Sequence, residues 1–126
     1  MFKDSQAFNS YSVDDIATAK TFYVDTLGLE VSEHEEGGMP LLSLEFTGGG
    51  RTMLYPKPDH QPAAFTVLNF QVSDIEAAVD ALTERGVKFE RYESIESDEK
   101  GIARGGGPLI AWFTDPAQNI LSVLEA

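Results

Sequence analysis

"FQVSDIEAAVDALTERGVKFE" (residues 70–90) restates the pattern of "YSVDDIATAKTFYVDTLGLEV" (residues 11–31). Aligned, Tyr11 meets Phe70, Val13 meets Val72, Asp15 meets Asp74, Ile16 meets Ile75 and Ala19 meets Ala78, and after one deletion Gly28 meets Gly86. Each copy opens with an extended apolar run and passes an Asp-Ile start signal into a helix. Ile75, Ala78, Val79 and Leu82 fall on one helical stripe, and Ile16, Ala19, Phe22, Tyr23 and Leu27 make its counterpart. Ser73 and Glu76 predict a capping box at the second helix, and Asp14 is the predicted cap of the first. Gly28 and Gly86 stand where a helix ends in a left-handed residue.

Strand patterns follow each helix. "LEVSEHEE" (29–36) and "VKFERYE" (87–93) alternate polar and apolar residues. "PLLSLEF" (40–46) and "RTMLYP" (51–56) flank the turn Thr47-Gly48-Gly49-Gly50, and "PLIAWFT" (108–114) and "NILSVLEA" (119–126) flank Asp115-Pro116-Ala117-Gln118. The chain therefore reads as one domain, 1–126, of two strand-helix-three-strand modules, about 1–57 and 65–126. The Pro-rich "PKPDHQPAA" (56–64) links them. The segment 94–108, charged and then Gly-rich, breaks the repeat and is expected to be a long loop, either a solvated excursion or a cover over a pocket.

Composition narrows the function. A length of 126 residues suffices for one core. A formal charge of −12 repels phosphate backbones and anionic membrane surfaces, so neither nucleic acid nor membrane is an expected partner. Cysteine is absent, which excludes disulfides and thiolate chemistry. No apolar run approaches membrane-spanning length, and "MFKDSQAF" lacks the regions of a secretory signal. A cytoplasmic protein is expected.

The duplicated module resembles the vicinal oxygen chelate superfamily, which includes glyoxalase I, bleomycin-resistance proteins, fosfomycin-resistance enzymes and extradiol dioxygenases. Three stretches carry the resemblance: "YSVDDIATAKTFYVDTLGLEV", "QVSDIEAAVDALTERGVKF" and "WFTDPAQNILSVLE", the last close to the family ending Asp-Pro-x-Gly-Asn-x-Ile-Glu-Leu. It implies an α+β fold, two βαβββ modules whose sheets curl into a partly closed mixed barrel around one cavity, with helices outside. Members often pair as homodimers. Period-2 counting puts Phe8, Ser10 and Ser12 inward on the first strand, and Val67, Asn69 and Gln71 inward on its counterpart, with Leu68, Phe70 and Val72 under the second helix.

Metal-using members hold a divalent ion through inward His and Glu residues. The first ligand usually stands seven residues before the helix-start Asp, which here gives Phe8 and Val67. The closing Glu, six residues after the Pro, is replaced by Ser122, and the remaining position falls near Met53. None offers a carboxylate or imidazole, so no metal and no cofactor are expected. His34, among Glu33, Glu35 and Glu36, is expected at a solvated strand end, because neighbouring side chains on a strand point to opposite faces. His60 is expected exposed in the linker, and Glu45 faces the cavity only on a shifted register. "GGG" (48–50) and "RGGGP" (104–108) lack nucleotide-binding spacing and read as turns.

What remains is a mostly apolar lining of Phe8, Met53, Tyr55, Val67 and Trp112, with Ser10, Asn69, Gln71 and Ser122 as polar points. The expected function is metal-free binding of a small organic ligand. The alternatives are a lyase, isomerase or dioxygenase with a relocated metal site, and an interaction module whose barrel is packed shut. Trp112→Ala is expected to weaken ligand binding and spare the fold.

Overall fold

The computed structural model describes residues 1–126. Its contacts divide the chain into two compact units, Met1–Gln61 and Pro62–Ala126.

In the first unit, β1 (Asn9–Val13), β2 (Glu30–Glu36), β3 (Met39–Glu45) and β4 (Arg51–Pro56) form a sheet in the order β1-β4-β3-β2, with β1 and β4 parallel and the other pairs antiparallel. Tyr11, Val13, Leu42, Leu44 and Leu54 are buried on the face that carries α1 (Ile16–Thr21). Asp15, not Asp14, caps this helix, its carboxylate accepting the Ala17 and Thr18 N–H groups. The sequence stripe 16–27 is helical throughout but not α-helical throughout. Phe22–Thr26 form a π turn in which the Leu27 N–H reaches back to the Phe22 carbonyl at 3.1 Å. That turn buries Tyr23, whose hydroxyl meets the Tyr11 hydroxyl at 2.8 Å, so two buried polar tips satisfy each other. Gly28 then takes φ +70°, the left-handed exit expected of it.

In the second unit, β5 (Thr66–Gln71), β6 (Leu109–Thr114) and β7 (Ile120–Glu125) pair in the order β5-β7-β6, β5 parallel to β7. Ala111, Phe113, Leu121 and Val123 form the buried face, and α2 (Ile75–Glu84) packs on β6 and β7 through Ile75 and Val79. Register places Leu68 opposite Leu121 and Phe70 opposite Val123, so both share the helix face as expected. The predicted capping box is not formed. Asp74 caps α2 by accepting the Ala77 N–H, and the Ile75 N–H is satisfied by Glu125 Oε1 at 2.9 Å. Glu76 instead faces Lys100 and Arg104.

The expected barrel is seen only as two sheets, and one further expectation fails. No strand of one sheet pairs with a strand of the other, so hydrogen bonding builds two separate sheets and not a continuous barrel. The stretch 87–93 contributes only a single bridge, Glu90 to Trp112. The outer edge of β6 is shared: segment 94–108 returns Ala103 to pair with Ile110, which leaves 87–93 no length of edge to continue along.

That segment is ordered from within. Arg91 donates to the Asp98 and Glu99 carbonyls, each at 2.6 Å, and to Ser97 Oγ. Burial pushes the Asp98 carboxyl up, but hydrogen bonds from the Ile102 N–H, the Arg104 side chain and the Lys100 N–H outweigh it and hold the group below the usual carboxylate range.

The turn between β6 and β7 closes on Asp115, whose carboxylate accepts both the Asn119 N–H (2.8 Å) and Asn119 Nδ2 (3.0 Å) in buried surroundings. Gln118 at φ +69° is the one non-glycine residue in a left-handed conformation, at the place where the related ending has Gly. Its side chain is exposed, so Gln118→Gly loses no packing. Relief of left-handed strain, about 1–2 kcal/mol, exceeds the entropy of a more flexible unfolded chain, about 0.5–1 kcal/mol. The variant is expected to gain roughly 0.5–1 kcal/mol in chemical denaturation. A loss of stability would contradict this account of the turn.

Candidate functional site

The helix-free face of the first sheet gathers much of the expected lining. Register aligns Ser10, Met53, Ser43 and Ser32 in one row, with Ser12, Tyr55, Leu41 and His34 in the next. Phe8, Ser10, His34, Met39, Leu41, Arg51, Met53 and Tyr55 line an open depression of about 630 Å³, with Glu35 and Glu36 at its edge. Of the expected residues, the structure thus brings Phe8, Ser10, Met53 and Tyr55 together. Phe8 lies just before β1, is 53% exposed, and carries the Arg51 guanidinium 4.4 Å from its ring centroid.

The polar part of this face is wired. Ser32 Oγ donates to Glu45 Oε1 at 2.9 Å, and its single proton is thereby used. His34 Nε2, 3.0 Å from the same oxygen, must therefore carry hydrogen and donate to it. Beside them Ser43 is fully buried and its hydroxyl has no partner. A buried hydroxyl left unpaired is destabilising by about 1–3 kcal/mol, and it sits between Met53 and Ser32 on the helix-free face.

Several sequence expectations are corrected here. His34 is indeed exposed, but it belongs to the helix-free side of its strand. Glu45 reaches that side with no shift of register. His60 is half-buried and not free in the linker: its Nδ1 lies 2.6 Å from Ser12 Oγ. Arg51, Leu41 and Ser43 were missed altogether. Counting back by two from Met53 would have found Arg51, whereas the other two depend on cross-strand register that a sequence does not state.

On the second sheet, Asn69, Ser122 and Trp112 form one row on the face opposite the helix, and Ser122 Oγ donates to Asn69 Oδ1 at 2.5 Å. Gln71 is exposed and pairs with Leu124. Val67 departs from the expected count, because the ladder slips between Thr66 and Leu68 and leaves it without a cross-strand partner.

The positions at which the resemblance implies metal ligands do not suit a divalent ion. Phe8, Met53 and Val67 supply no carboxylate or imidazole, and the Ser122 hydroxyl is directed to Asn69. No group of three or more His, Asp or Glu side chains converges anywhere in the chain.

Comparison with known proteins agrees with this architecture. A search of curated protein sequences gives no match. Among solved structures, a glyoxalase family protein from Enterococcus faecalis superposes with a TM-score of 0.73 at 22% identity, covering 99% of this chain and 100% of the other. TnmS3, an antibiotic binding protein from Streptomyces sp. CB03234, gives 0.72 at 23% identity over 99% and 98%. A superfamily member from Sphaerobacter thermophilus DSM 20745 gives 0.68 at 25% identity over 96% and 98%. Residues 7–123 match the sequence profile of one family, and the chain belongs to it: the Glyoxalase/Bleomycin resistance protein/Dioxygenase superfamily.

Proposed function

We propose that the protein binds a small, largely apolar organic molecule on the helix-free face of the first sheet and does so without a metal ion. The observation that carries this reading is the depression floored by Met53, Leu41 and Tyr55, walled by Phe8, and set beside the unpartnered Ser43 hydroxyl. The apolar floor supplies affinity, while Ser10 and His34, which line the same depression, offer polar contacts to a ligand. The antibiotic-binding role of one structural neighbour fits this reading. The same proposal takes the protein to be a cytoplasmic homodimer, on the family resemblance.

A thermal-shift screen of planar apolar compounds tests it, since a ligand specific for the folded state raises the melting temperature. Phe8→Ala removes a largely exposed ring, so the fold is expected to survive while affinity for a hit falls roughly tenfold. Elemental analysis of protein purified without chelator is expected to find no bound transition metal. Stoichiometric iron, manganese, nickel or zinc would overturn the metal-free reading, and an affinity unmoved by Phe8→Ala would remove the ligand from this face.

A further inference from the structure

The second unit has an aromatic corner with a negative charge that no cation of the chain pairs. Trp112 and Tyr92 meet edge to face, with ring centroids 5.5 Å apart and planes at 75°. Two rings so arranged present surfaces in two directions, as the walls of an aromatic cage do. Glu90 is bridged to Trp112, its N–H donating to the Trp112 carbonyl at 2.7 Å, so their side chains lie in one row with Ser122 and Asn69.

Glu90 takes part in no ion pair. Its neighbour Arg91 is the obvious counterion, yet alternation turns that side chain away, and its guanidinium is occupied by Ser97 and the carbonyls of Asp98 and Glu99. Lys100 and Arg104 are paired to Glu76, Asp80 and Asp98, and Lys88, exposed two residues before Glu90 and on the same side by the same alternation, forms no ion pair with it. The Tyr92 hydroxyl is pushed above the ordinary phenol range by burial and then by the Glu90 charge, which places that carboxylate within electrostatic reach of the ring.

We propose that Trp112, Tyr92 and Glu90 form a binding site for an organic cation, an alkylated or quaternary ammonium group, seated against the two rings and neutralised by Glu90. Ring faces attract a weakly hydrated cation more than a small inorganic one, because less hydration is lost on contact. The acidic chain as a whole raises the local concentration of such a ligand. This site lies in the second unit and does not depend on the depression in the first.

Trp112 is the sole tryptophan, so its fluorescence reports on the corner directly. Choline is titrated against its neutral isostere 3,3-dimethylbutan-1-ol, with sodium chloride as the ionic control. Choline is expected to change the emission saturably, with at least fivefold preference over the isostere and no response to sodium. Glu90→Gln, at an exposed side chain, is expected to lower choline affinity roughly fivefold. Tyr92→Phe keeps the ring and is expected to retain binding, whereas Tyr92→Leu loses it. Equal responses to choline and the alcohol, an unchanged affinity in Glu90→Gln, or no saturable response would overturn the proposal. Phe8→Ala is expected to leave choline binding intact, which separates failure of this site from failure of the first.

Discussion

Phe113→Ala is expected to lower unfolding free energy by about 3–5 kcal/mol, the range for deleting a fully buried aromatic ring. Phe113 has no exposed surface, lies opposite Leu121 on the central strand of its sheet, and packs edge to face on Phe89 at 5.7 Å. The void would open where β6, the 87–93 stretch and the following loop depend on one another. Thermal melting followed by circular dichroism should show a fall of roughly 15 °C for a domain of this size. A fall of only a few degrees would mean that the surroundings collapse into the space, and that this ring is not central to the unit.

The second large effect is expected at Gly101. Its φ is +90°, and a Cβ placed there would stand 2.9 Å from the Phe89 Cβ. Backbone strain and overpacking act together, so Gly101→Ala should lose about 2–4 kcal/mol. Gly105→Ala is the control: its backbone is unstrained and nothing lies within 4 Å of the added carbon. A double variant with Phe89→Gly, which removes the Cβ that the new methyl would strike, separates the two causes. If the clash dominates, the combined loss is well below the sum of the single losses; if strain dominates, they add.

The duplicated pattern made most of the fold legible. Tyr11–Val13 and Phe70–Gln71 close the first strand of each unit, and Gly28 and Gly86 both take positive φ. The misses have separate physical origins. Asp14 and Ser73 each neighbour the true cap, and a string of polar residues does not say which one adopts the extended backbone that aims its side chain at the helix. An apolar stripe from Ile16 to Leu27 tolerates one residue more per turn, so the π turn at Phe22–Thr26 left no mark in it. At the depression, alternation along the first strand put Phe8 and Ser10 on one face, because direction within a strand is a local property, while Met53 was placed by the resemblance. His34 and Ser43 gain their meaning from Leu41, Met53 and Ser32 across the sheet, and pairing register is a property of two strands at once.

Strand order also governs how the chain can assemble as it is made. In each unit the strand synthesised last, β4 or β7, lies between the first strand and the rest. Neither sheet can join its halves on a growing chain until that strand has emerged from the ribosome. The second helix gains the acceptor for its Ile75 N–H only when Glu125 arrives. Vectorial synthesis therefore leaves each unit unsealed until translation has passed its final strand.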